Sequence, residues 1–167
     1  MAYSVLQHLV YNEWANSKFA DLLLTVDDAL YFQPTKSSFP SIAKTVLHVS
    51  DSQQIWLQRM QGISLSTWPS ANFTGTKKDA ISGLVQSSKN LVEFIKSKDE
   101  SFLASTYSYL SLKGDSFADP VEHTLFHIVN HSAYHRGQIT TMLRELGVTQ
   151  LVGTDLIHYL RSIKNEN

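Results

Sequence analysis

Within HTLFHIVNHSAYHRGQ, residues 123–138, histidine recurs at every fourth position: His123, His127, His131 and His135, four of the seven in the chain. On a helix, a side chain four positions on lies one turn up and about 40° round the axis, so adjacent members of the ladder can share a partner, but all four cannot. With about 100° per residue and His135 at zero, His131 falls near 320°, His127 near 280° and His123 near 240°. The apolar stripe of the same segment is Val121, Leu125, Ile128, Ile139, Met142, Leu143 and Leu146. It is centred between roughly 340° and 80°, so only His131 and His135 lie in or beside it. A lone histidine on an apolar face is ordinarily a core residue bonded to a carbonyl or hydroxyl. Two imidazoles a turn apart, facing a dry interior, are costly to bury unpaired. A divalent metal satisfies both nitrogens at once, but a third ligand must come from elsewhere.

The elements that position this pair follow from periodicity and caps. Residues 4–29 read as a first helix, opened by Ser4 with Gln7 three positions on, a capping box. Its face carries Val5, Leu9, Phe19 and Leu23, interrupted by Asn12 and Asn16; these asparagines read first as solvated where the helix emerges, with hydrogen bonding near a site as the alternative. Residues 33–40, with Pro34 and Pro40, form a linker. A second helix spans 41–61 and stops at Gly62, with Ile42, Val46, Val49, Trp56 and Met60 on its core face and His48 at the edge. This helix can supply the third histidine. A connection over 63–75 leads to a third helix at 77–98, capped by Thr76 with Asp79. Alternation over 106–112 and the turn at 113–115 predict a short hairpin. Asp119 as cap, Pro120 at the first helical position and Glu122 closing the box start the fourth helix, which ends at Gly147. A short fifth helix covers 154–164. The expectation is a single all-α domain over 1–167, an antiparallel four-helix bundle with a hairpin before its fourth helix and a short C-terminal helix.

Composition narrows the chemistry. The chain of 167 residues suits one sizeable core, and its net charge of −1, with 17% charged residues and no basic run, argues against nucleic acid or an anionic membrane as partner. The absence of cysteine leaves His, Asp and Glu as candidate ligands. No signal-peptide pattern or long apolar run occurs, so a cytoplasmic location is expected.

Several stretches together resemble the DinB-like, or YfiT-like, superfamily of helical bundles associated with metal-dependent chemistry. They are Thr45-Val46-Leu47-His48-Val49, Trp56-Leu57-Gln58-Arg59, His131-Ser132-Ala133-Tyr134-His135-Arg136-Gly137-Gln138, Asn12 and Trp14 near the start, and Thr154 to Arg161 at the close. The resemblance spans essentially the whole chain, and it implies metal ligation by His48, His131 and His135. Three imidazoles with a position left open is a catalytic arrangement, and zinc, nickel and iron(II) all accept it. His127, offset by about 80° from His135, is expected behind the ligands or bonded to another helix. Arg136 and Gln138 flank His135 as motif residues, although spacing alone lets Arg136 pair with a carboxylate. Trp14 and Trp56 either line the pocket mouth or pack in the core. His8, His123 and His158 are expected to lie outside the site.

The resemblance further implies that some members are thiol S-transferases. The expected activity is therefore a metal-dependent transferase or hydrolase acting on a small molecule, with a low-molecular-weight thiol as a possible cosubstrate and no general base identifiable. The alternative is a non-enzymatic, stress-related metal-binding bundle. A homodimer is expected from the resemblance and from apolar loop residues Ile63, Leu65, Trp68 and Phe73, which a covered pocket would use equally.

Overall fold

The computed structural model describes residues 4–165; residues 1–3 and 166–167 of the domain expected over 1–167 lie outside the described residues. The elements in chain order are α1 Val5–Thr25, α2 Asp28–Phe32, α3 Ile42–Met60, α4 Lys77–Lys96, α5 Glu100–Leu103, β1 Thr106–Leu110, β2 Ser116–Pro120, α6 Val121–Glu145 and α7 Leu156–Asn165.

The caps account for most boundaries. Ser4 and Gln7 close the box at the start of α1, and Thr76 and Asp79 close that of α4. Gly62 and Gly147 follow α3 and α6 with φ of +81° and +84°, where a Cβ would be strained. The expected third helix ends at Lys96 rather than 98, the last begins at Leu156 rather than 154, and the short α5 is additional; two further differences have a clear local cause. The first helix ends at Thr25 instead of running to 29, because the Asp27 side chain accepts the Ala29 N–H and starts the separate α2. The fourth helix lacks the expected Asp119 cap. Asp119 accepts a 2.6 Å hydrogen bond from the Tyr109 hydroxyl, β2 continues through Pro120, and Pro120 is the N-cap without a side-chain bond. The hairpin pairs β1 antiparallel to β2, with Thr106 opposite Pro120 and Leu110 opposite Ser116.

The four long helices pack in the ring α1–α4–α3–α6. Their apolar residues gather in two clusters. One joins Phe19 and Leu23 to Val46, Ile81 and Leu143; the other joins Val5 and Leu9 to Met60, Leu91 and Leu125. Helices α1 and α6 therefore run one way and α3 and α4 the other, so the antiparallel neighbours are α1 with α4 and α3 with α6. Because α3 and α4 are parallel neighbours, residues 61–76 must travel back along the bundle, which is why that connection is long.

Between the two apolar clusters lies a polar layer contributed by all four helices. Arg136 Nη1 donates to Asn12 Oδ1 at 2.8 Å and Asn16 Oδ1 at 2.7 Å. Asn12 Nδ2 donates to Gln53 Oε1, Gln53 Nε2 to Ser87 Oγ, and Asn16 Nδ2 to Ser88 Oγ. The asparagines are thus buried and bonded, not solvated. A helix face carrying them survives in the core because each amide finds partners on two neighbouring helices, Asn12 on α6 and α3 and Asn16 on α6 and α4.

Candidate metal centre

Helix α3 and helix α6 cross as antiparallel neighbours where His48 faces His131 and His135. The Nε2 atoms of His48 and His131 are 3.0 Å apart, and those of His131 and His135 are 3.1 Å apart. One ligand nitrogen from each of the three rings falls within 4.8 Å of the others, the one such cluster among the described residues. His135 is buried, and the other two are half-buried.

Hydrogen bonding fixes the proton positions. Gln138 Nε2 donates to Ser38 Oγ at 2.8 Å, so Gln138 Oε1 is the atom facing His135 Nδ1 at 2.7 Å. His135 Nδ1 then carries the proton and its Nε2 presents a lone pair to the cluster. A single proton on His131 Nε2 can fully serve only one of its two imidazole neighbours. His131 Nδ1 is buried with no hydrogen-bond partner among the described residues. Burial, then the charge of His135, pushes the His48 pKa down to about 4. Burial, then the charges of His135, His48 and His127, pushes His131 to about 3. His135 is also lowered by burial, against the opposing effect of the Gln138 hydrogen bond. Three rings held neutral with converging lone pairs are the donor set that a borderline divalent cation requires, and the residues fit such an ion.

The walls come from stretches that read as linkers. Phe39 stacks on the His48 ring with centroids 4.2 Å apart and lies 5.6 Å from His135. Trp68 approaches His48 at 5.5 Å and is 45% exposed. It is carried there by the returning connection between α3 and α4. Asp51, one turn beyond His48, anchors that connection by accepting the Ser70 N–H at 3.0 Å and the Ser70 hydroxyl at 2.6 Å. Burial raises the Asp51 carboxyl pKa, and the two hydrogen bonds from Ser70 oppose the rise. Phe39, Leu47, His48, Asp51, Trp68 and Ala71 belong to the lining of one cleft of about 360 Å³.

The other expected residues fall as follows. Gln138 positions His135, as described. Arg136, on the neighbouring flank of α6, is 4% exposed and is turned into the polar layer. Among the described residues it meets no carboxylate, so its partners are not acidic; its acceptors are the two asparagines, with the Tyr11 ring 5.9 Å away. His127 is exposed, with its ring 5.7 Å from His131 and 5.5 Å from Trp56. Trp14 packs against Tyr11 and Tyr159, on the α7 side, and does not line the cleft. Trp56 packs against Tyr109 and the Arg59 guanidinium. Trp68 takes the pocket-covering role that was the alternative to a dimer contact, whereas Phe39 and the Asp51–Ser70 anchor went unforeseen; the aromatic residues flanking proline in Phe39-Pro40 and Trp68-Pro69 are the one signal that marked those loops.

Comparison with known proteins accords with this arrangement. The sequence profile of the DinB family matches residues 1–166. Protein DinB of Bacillus subtilis (strain 168) is 29% identical over 164 residues, covering 93% of each chain. Among solved structures, Bacillus subtilis YfiT, described as a probable metal-dependent hydrolase with an unusual four-helix bundle topology, superposes with a TM-score of 0.67 at 13% identity. That match covers 89% of this chain and 91% of YfiT. A DinB-like protein from Bacillus cereus superposes with a TM-score of 0.64 at 18% identity, over 89% of this chain and 95% of that one. A profile match across nearly the full length, on a bundle with a three-histidine cluster, places this chain in the DinB family.

Proposed function

We propose that the protein is a metal-dependent enzyme that cleaves, or adds a thiol to, a small electrophilic substrate held in the cleft beside His48. The observation that carries this reading is the convergence of three neutral imidazoles next to an aromatic-walled cleft on the same face. His48, His131 and His135 would hold the ion through Nε2. When bound, a divalent cation supplies Lewis acidity, lowering the pKa of a water or thiol and polarising an electrophile. The description of YfiT as a probable metal-dependent hydrolase favours hydrolysis as the first reaction to assay.

The chain's own residues divide the remaining work. Gln138, itself held by Ser38, keeps the His135 Nδ1 proton away from the cluster. Phe39 and Trp68 restrict water on either side of His48 and offer apolar surface to the substrate. Asp51 has both oxygens engaged by Ser70, so its part is to hold the loop bearing Trp68 in place. A homodimer belongs to the same proposal, supported by Ile63 and Phe73, which remain 52% and 39% exposed.

The test is a screen of the zinc-, nickel- and iron(II)-loaded protein against activated esters and amides, and against electrophiles with low-molecular-weight thiols. Turnover that disappears in His48→Ala while the circular dichroism spectrum is retained supports the proposal. Stoichiometric metal without any turnover moves the protein to the non-enzymatic reading.

A further inference from the structure

We propose that His123 and His127 form a second, weaker site for a first-row divalent cation, placed to load the three-histidine centre. His123, His127, His131 and His135 stand at one four-residue spacing and form a strip of possible ligands along α6, with Asp119 at the end of β2 just before it. The inner two rungs join His48 in the centre. The outer two and Asp119 line a separate cavity of about 280 Å³ together with Trp56 and Thr124.

Three observations favour ligation there. First, His123 and His127 are exposed, one turn apart on one cavity wall, and neither makes a hydrogen bond among the described residues. No hydrogen bond therefore opposes an i, i+4 chelate by this pair, unlike His135, which is pinned by Gln138. Second, Asp119 adds negative charge to the same wall, and its Oδ2 is fixed by the Tyr109 hydroxyl. Third, the His127 ring lies 5.7 Å from that of His131, so a cation leaving the outer pair has an inner ligand in reach before full release to water.

The lining also sets the chemical class. The Arg59 guanidinium lies 4.5 Å from the centroids of both Trp56 and Tyr109, the tyrosine whose hydroxyl binds Asp119. With two imidazoles and a single carboxylate in the lining, the donor set suits zinc, nickel and copper over calcium and magnesium. The outer ligand atoms are not gathered as those of the centre are, so the site is the weaker one.

The binding site stands on its own residues; its loading role rests on the proposed centre. Calorimetric titration of the full chain with Ni²⁺ separates the two. Wild type is expected to take a tight equivalent and a second at least about tenfold weaker. The double variant His123→Ala/His127→Ala should keep only the tight one, and His48→Ala only the weak one. In stopped-flow mixing, the double variant should fill the centre at least about threefold more slowly than wild type, with unchanged final content. Persistence of the weak phase in the double variant, or its absence from wild type, overturns the outer site. Equal filling rates overturn the loading role. A wild type with the weak phase alone refutes the centre and leaves the outer site standing.

Discussion

Helix α6 carries two polar regions on adjacent flanks, and they are built with opposite polarity. Toward α1, Arg136 brings a resident cation into the bundle, and the carbonyl oxygens of Asn12 and Asn16 turn to meet it. Toward α3, His48, His131 and His135 bring lone pairs together with no resident cation among them. The first region is sealed between two apolar clusters, with Arg136 and Asn12 at 4% and 1% exposure. The second opens on a cleft. Burying a guanidinium demands acceptors fixed by the fold, so the first region serves the architecture. Lone pairs that repel one another are tolerable beside solvent, where a cation can enter, so the second suits the proposed metal chemistry. The contrast teaches that polarity inside a bundle is not in itself the mark of a site; a deficit of protons at an accessible point is.

The contrast breaks most visibly at Arg136. Arg136→Ala leaves the Asn12 and Asn16 oxygens buried and unmatched, at a cost of about 3 kcal/mol. Thermal unfolding should drop by about 10 °C. Metal stoichiometry of the folded fraction should not change. His131→Ala should do the reverse: binding at the three-histidine centre is lost, while unfolding of the metal-free protein moves by only a few degrees. Zinc at about a hundred times the dissociation constant of the centre should stabilise wild type through that centre by about 2.7 kcal/mol, a contribution the variant lacks.

Gln138 sharpens the comparison, because it is the counterpart of the asparagines on the chemical side. Removing the acceptor for the His135 proton in Gln138→Leu should weaken metal affinity by about 10- to 100-fold, measured by competition with a chromophoric chelator, with little effect on folding. At the outer wall, Asp51→Ala frees Ser70. It should cost about 1 kcal/mol and shift the fluorescence of Trp68 to the red as its loop loosens.

A further effect concerns pH. His48 and His131 are pushed below the ordinary histidine value of 6.5, so the unfolded chain takes up their protons first. The metal-free protein therefore loses stability as pH falls from about 6.5 toward the folded values near 4 and 3. Urea unfolding of the chelator-treated protein at pH 7 and pH 5 should show the loss, reduced in His48→Gln.

How much of this was legible in the sequence follows the range of the interactions. Caps act within one turn, so Ser4 with Gln7, Thr76 with Asp79, and the glycines after α3 and α6 marked their helices directly. The 3.6-residue period singled out His131 and His135, because their own helix defines the face they share. His48 needed the family resemblance, since nothing local to α3 says which neighbour it meets. Asn12 and Asn16 were misjudged for the same reason: their partners sit on α6, α3 and α4. At Asp119 a local cap rule lost to a tyrosine ten residues earlier, brought close by the hairpin. Phe39 and Trp68 acquired their places only from the direction of the connections, which the parallel pairing of α3 with α4 imposes.

The central claim is that three imidazoles of this chain hold one cation together. Its most direct test is elemental analysis of wild type and His131→Ala after loading with zinc and desalting, which strips weak sites. The structure predicts about one tightly held equivalent in wild type and less than about a tenth in the variant. Equal zinc in the two proteins, or none in wild type, contradicts it.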